Sequence, residues 1–202
     1  MNRLMRTTGC LVGLGLAATL LISATVRAED GDEKKVREVK VDDLVLHVPG
    51  TWKELGAQKP FRVAQFEIPA VDGDSEPAEL VIFHFGKGQG GGVAENVKRW
   101  TNQFQADGRK REICTGDAAS GKYTLVDLQG TFNKPVGPPI RQQTKAMPNA
   151  RMLAVLLENE KAGDYFLRLS GPKKTVASVS DEFRKFFGAD PKKEKKQDDE
   201  KE

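Results

Sequence analysis

The chain has 202 residues and carries 32 Lys and Arg against 29 Asp and Glu, a net charge of +3. The excess sits in Arg3, Arg6 and Arg27, ahead of the first acidic residue, Glu29. The remainder is therefore neutral, and composition gives no overall electrostatic case for nucleic acid.

The chain opens in the pattern of an export signal. Arg3 and Arg6 make a positive start, Leu11 to Ile22 is an apolar run, and Val26-Arg27-Ala28 reads as an A-x-A-like cleavage site. Cleavage is expected between Ala28 and Glu29, giving a periplasmic or secreted protein. The apolar run is shorter than the about 20 residues of a membrane-spanning helix. No later segment approaches that length, so no integral membrane segment is expected in the mature chain. Of the two cysteines only Cys114 follows the leader, which leaves no intramolecular disulfide. Stability then has to come from a core, for which about 150 residues suffice. Residues 29–35 are polar and expected to be mobile.

Alternation of apolar and polar residues marks the strands. Leu44, Leu46 and Val48 share one face, and Pro49-Gly50 ends that run. Ala64, Phe66 and Ile68 alternate before Pro69. Leu80 to Phe85 is apolar on both faces, as a central strand would be. Arg111 to Cys114 and Tyr123 to Phe132 continue the strand pattern. Met152 to Leu157 is again apolar on both faces, and Asn159 to Asp164 turns the chain back into Tyr165 to Leu169, a predicted hairpin. Trp52 is expected at the rim of the core.

Two segments carry helical periodicity. Val93, Val97, Trp100 and Phe104 fall on one face, between Gly92 and Gly108. Val176, Val179, Phe183 and Phe186 or Phe187 repeat the pattern, with Thr175 as the expected N-cap and Gly188 as the stop. Beyond Ala189 the chain holds no apolar residue, which predicts a disordered, charged tail over residues 189–202. The expectation is one α+β domain over residues 36–188: a mostly antiparallel sheet with amphipathic helices packed on it.

Few residues invite chemistry. Gly86, Gly88 and Gly91 satisfy G-x-G-x-x-G after a strand and before a helix, with Asp107 about 20 residues on, as in a dinucleotide fingerprint. Hairpin-rich surroundings, an Asp107-Gly108 turn and the exported setting argue against a nucleotide, and no cofactor is expected. Lys87, Gly88, Gln89, Gly90 and Gly91 remain candidates for contact with a partner or an anion, at the positive end of a helix. Asn133 to Ala150, with four prolines, reads as a stiff surface loop whose Arg141 and Lys145 are further candidates. His47 and His84 lie in strands without metal-ligand spacing, so no metal site is expected. His84 reads as a hydrogen-bonded core residue and Cys114 as a buried thiol. No nucleophile elbow is present, and no catalytic residue is assigned.

The arrangement resembles the PsbP/Mog-type α/β/α sandwich. The likeness rests on Leu46-His47-Val48-Pro49 followed by Trp52, on Phe61 to Pro69, on the helix through Trp100 and Phe104, and on the closing hairpin Met152 to Leu169 with Ser170-Gly171-Pro172 and the last helix. In that family PsbP is an extrinsic lumenal subunit of photosystem II, Mog binds the GTPase Ran, and bacterial members are exported. The resemblance implies a non-catalytic module that binds a protein partner. It carries no site residue over. The alternative is an extracytoplasmic enzyme, or a small-ligand or anion-binding protein, that uses the Gly86–Gly92 loop.

Overall fold

The computed structural model describes residues 35–56, 60–137 and 141–197. The leader with its Ala28–Glu29 cleavage site, the polar residues 29–34, Pro138, Pro139 and the last part of the expected tail lie outside the described residues. Strands β1 (Val36–Val41) and β2 (Leu44–Pro49) form a separate antiparallel hairpin. The other strands are β3 (Lys53–Leu55), β4 (Arg62–Ile68), β5 (Ala78–His84), β6 (Lys110–Ala118), β7 (Gly121–Pro135), β8 (Thr144–Leu157), β9 (Tyr165–Pro172) and β10 (Lys195–Gln197). They form one eight-stranded sheet in the order β10-β6-β7-β8-β9-β5-β4-β3. Every neighbouring pair is antiparallel. Helices α1 (Val93–Thr101), α2 (Lys173–Ser178) and α3 (Ser180–Phe186) are short, so the sheet dominates the domain.

Two meanders, β3-β4-β5 and β6-β7-β8-β9, meet where β5 pairs with β9. After β5 the chain must cross to β6, roughly 19 Å away at about 4.8 Å per strand spacing. Helix α1 makes that crossing on one face. Its Trp100, with Phe104 just beyond, packs on Val126, Leu128, Met152, Ala154 and Phe166. The opposite face is covered by α2, α3 and the β1–β2 hairpin. There Leu44, Leu46 and Val48 join Phe183, Phe186 and Phe187 against Phe66, Leu80, Leu153 and Leu167. Both faces of the central strands are thus buried, which explains why β5, β8 and β9 are apolar in continuous runs. Trp52, expected at the rim, is 1% exposed and lies 5.3 Å from the Phe186 ring, inside this second layer.

Four expectations need correction. The C-terminal helix is broken at Val179, whose φ of −110° and ψ of 12° separate α2 from α3. Ser178 Oγ donates to the Thr175 carbonyl at 2.8 Å, a local bond that competes with the helical ladder. Thr175 is not the N-cap, a position held by Pro172. The Asp74 carboxylate, from the β4–β5 connection, takes its N–H at 2.8 Å and its hydroxyl at 2.7 Å.

Asn133 to Ala150 is not a loop but the end of a long hairpin. Lys134 pairs with Lys145 and Pro135 with Thr144, and the Val136 N–H donates to Gln143 O at 2.8 Å. The register shifts between Gly130 and Phe132, and Pro148 and Asn149 fall in that bulge. A bulge leaves residues out of the ladder, so a proline there forfeits no hydrogen bond. The hairpin beyond it is an arm reaching past the β7–β8 core.

The charged tail begins later than composition predicted. Ala189 is buried, Pro191–Lys193 makes a single 3-10 turn, and β10 adds to β6 by pairing Lys195, Lys196 and Gln197 with Thr115, Cys114 and Ile113. One buried side chain anchors it besides that ladder. Glu194 accepts from the Tyr123 hydroxyl at 3.0 Å and lies 2.8 Å from Arg184 Nε.

Candidate functional site

The glycine loop between β5 and α1 is a packed connector. Asn96 Nδ2 donates to the carbonyls of Gly90, Gly91 and Gly92 at 3.1, 3.0 and 2.9 Å, and Arg99 also reaches Gly90 O. The Gly92 N–H donates to Glu95 Oε2 at 3.3 Å, so the start of α1 already holds a carboxylate of its own. A Cβ at Gly90 would lie 2.4 Å from the Phe166 ring. Gly163 backs onto Lys87 as closely, its added Cβ falling 2.7 Å from Lys87 Cα. The strand after the helix, β6, is not beside β5, so the adjacent parallel crossover of a dinucleotide site does not form. Lys87, Gly88 and Gln89 lie at the outer turn of this loop.

The other residues singled out by sequence scatter. Arg141 is exposed at the tip of the arm, and Lys145 lies on its outer side, 3.9 Å from Glu76, which also meets Lys134 at 3.4 Å. His84 is part-buried: its Nε2 is 3.0 Å from Ala162 O, its Nδ1 is 3.6 Å from Asp42 Oδ2, and its ring stacks on Tyr165 at 4.5 Å. His47, half-exposed, faces Glu38 at 3.8 Å. Among the described residues no group of three His, Cys, Asp or Glu is placed to hold a metal.

Cys114 is buried under β10. Burial, with Glu194 and Glu112 nearby, pushes its thiol up from an ordinary 9.0 to about 11. The protonated form is the one the fold favours. Its contribution to stability is complete below about pH 9 and is lost as pH climbs from there towards 11. Alkylation by iodoacetamide at pH 8 should be at least about 10-fold slower in the native protein than in denaturant, because only the thiolate attacks. Equal rates would show the thiol to be exposed and reactive.

A concavity lies elsewhere, between the arm and the sheet on the α1 side. It is a groove of about 670 Å³, within the usual range for small-molecule sites. Arg62, Glu79, Phe83, Arg168 and Ser170, from β4, β5 and β9, make its floor, and Phe132, Lys134, Val136 and Gln143 make its arm-side wall. The bulge at Gly130–Phe132 aims the arm over this floor. Arg62 donates to Gln65 Oε1 at 2.9 Å and stands 3.7 Å from Glu79, to which Gln65 donates at 2.7 Å. The Arg62 and Arg168 guanidinium carbons lie 5.6 and 5.8 Å from the Phe83 ring centre, within cation–π reach.

Arg168 is the odd member. Arg151 meets Asp127 bidentately at 3.0 and 2.6 Å, and Arg184 meets Glu194. Arg168 has no carboxylate within 4.0 Å among the described residues. Its one hydrogen bond runs from Nη1 to Gln103 Oε1 at 3.3 Å, and its Nε is buried without an acceptor. Burial pulls its pKa down from the ordinary value, partly offset by Glu79. Sequence reasoning passed over this residue, although a visible signal existed: Arg168 is the charge inside the apolar run Tyr165-Phe166-Leu167-Arg168-Leu169.

Beside the groove an aromatic ridge reaches solvent. Phe61 is 60% exposed and has a φ of 65°, the left-handed region that a bulky side chain rarely enters. Its carbonyl accepts from the His84 N–H at 3.0 Å, and its ring lies 5.2 Å from Phe85. Phe85 in turn stacks with Phe83 at 6.1 Å and meets Phe166 edge-on at 5.4 Å.

No protein-family model matches the chain, and no curated protein matches it. The structure is similar to the solution structure of cyanobacterial PsbP (CyanoP) from Synechocystis sp. PCC 6803. That likeness has a TM-score of 0.45 at 13% identity and covers 88% of this chain and 94% of that one. Among the described residues no helix is long and apolar enough to cross a membrane.

Proposed function

We propose that this chain is an exported, non-catalytic module that binds a protein partner in the cell envelope, built on a reduced α/β/α sandwich of the PsbP/Mog type. The observation that carries the reading is Phe61. A left-handed backbone under a bulky residue costs about 1–3 kcal/mol, and a phenyl ring left 60% exposed recovers only part of that through its contact with Phe85. The remaining cost makes sense for a residue that anchors a partner. Aromatic and arginine side chains are what protein interfaces concentrate at their centres, and Arg62 stands next to Phe61. His84, Glu194 and Asp127 are each engaged in structural contacts, on Ala162, Arg184 and Arg151.

Phe61→Gly separates the two roles. It should leave stability unchanged or raise it by up to about 1 kcal/mol, because glycine tolerates the left-handed backbone. A photo-crosslinking residue at position 61 should give one discrete adduct in whole cells, and one at exposed Lys98 should give none. Affinity for the partner identified in that way should fall at least about 10-fold in Phe61→Gly. Wild-type affinity in that variant, or the same adducts from both positions, would sink the reading.

A further inference from the structure

We propose that the groove beneath the arm is a receptor for a small organic acid, a monoanionic carboxylate on an apolar body, held by Arg168. This goes beyond the protein-docking reading and does not depend on it. The charges of the groove carry the argument. Among the described residues its lining cations are Arg62, Lys134 and Arg168, and its lining carboxylate is Glu79. Glu79 stands against Arg62, and Glu76, on the outer side of the arm, is shared by Lys134 and Lys145. Of the lining cations, Arg168 is the one with no carboxylate within 4.0 Å among the described residues.

Arg168 is part-buried, and its Nε is shut off from water without an acceptor, a state that destabilises the empty protein. The planar fork of an arginine matches a carboxylate, and one guanidinium without a carboxylate is balanced by a monoanion rather than by a doubly charged phosphate. The rest of the groove describes the remainder of the ligand. Phe83, Phe132 and Val136 give it apolar walls, while Ser170 and Gln143 supply polar contacts at its edges. Few polar groups fixing the orientation of an apolar body is the usual composition of a small-molecule site.

The test uses the full chain and 4-phenylbutyrate as the probe, with 4-phenylbutan-1-ol as its neutral counterpart and inorganic phosphate as a separate arm. Calorimetry should show saturable binding of phenylbutyrate below about 10 mM. The alcohol should bind at least about 10-fold more weakly, a factor worth about 1.4 kcal/mol. In the wild-type protein the Arg168 Nε–H resonance should move on titration with phenylbutyrate and stay in place with the alcohol. Arg168→Met should lose at least about 10-fold in affinity while melting at or above the wild-type temperature, because it removes a guanidinium whose buried Nε has no acceptor. Four results would overturn the proposal: no saturable binding, a stationary Nε–H resonance, unchanged affinity in Arg168→Met, or phosphate binding as tightly as phenylbutyrate. If Arg168→Met does not fold, the wild-type resonance decides alone.

Discussion

Glu194→Ala is expected to destabilise the domain by about 3–5 kcal/mol, the usual cost of removing one member of a buried ion pair. The side chains of Arg184 and Glu194 are only 10% and 9% exposed, and their N and O atoms are 2.8 Å apart. The Nε–H is not aimed at the oxygen, so the contact is an ion pair more than a hydrogen bond. Alanine would strand the guanidinium, leaving its Nη1 bond to Ser180 O at 2.9 Å, and would orphan the Tyr123 hydroxyl as well. Removal of residues 190–202 should do the same and also uncover Cys114, lowering the melting temperature by something on the order of 10 °C. Glu112→Ala provides the control. Its partner Lys196 lies 2.9 Å away, but that pair is largely exposed and screened by water, so its loss should be felt far less. Equal effects from Glu194→Ala and Glu112→Ala, or an unchanged melting temperature on truncation, would show that the C-terminal segment only rests on the sheet.

The same residue shows where sequence pattern stops being informative. Strands of the central sheet announce themselves by alternation or by continuous apolar runs, because burial on a face has a period. Thus β2, β4, β5, β9 and the second half of β8 fall where the pattern placed them. Glu194 stands in a run of Lys, Glu and Asp, and nothing local distinguishes it from its neighbours. Only Arg184 and Tyr123, distant in sequence, make it structural. Asp74 is the same kind of case, a turn residue by type that becomes the partner of Thr175 through 101 residues of intervening chain. The prolines of the arm misled for another reason. Proline argues against a central strand, but Pro135 closes β7 and Pro148 sits in a bulge, both positions that a ladder tolerates. The glycine loop was legible as a turn into a helix. Its chemistry was not, since Glu95 takes the Gly92 N–H and Asn96 ties down the carbonyls of Gly90, Gly91 and Gly92. The groove was half legible: a lone arginine in a buried strand is visible in the sequence, whereas the bulge that swings the arm over it is not.

Trp100→Ala should cost about 3–5 kcal/mol, the range for truncating a large buried aromatic. Trp100 is 5% exposed and belongs to the cluster that α1 makes with Val126, Met152 and Phe166. Helix α1 has nine residues, too few to persist in water by propensity, so packing must hold it in place. The turn after it is fastened separately. Arg109 Nη1 donates to the carbonyls of Thr101 and Phe104, each at 3.2 Å, and Gln105 and Asn133 exchange backbone bonds with Thr131 and Gln103 at 2.9 and 2.8 Å. The damage should therefore be local. Hydrogen exchange in Trp100→Ala is expected to show loss of protection at the α1 amides from Val97 to Thr101, while the Gln105 and Asn133 amides stay protected. Loss of protection throughout β7 would mean that Trp100 supports the sheet itself. A cost below about 1 kcal/mol would mean that the helix is held by its ends and that its apolar stripe contributes little.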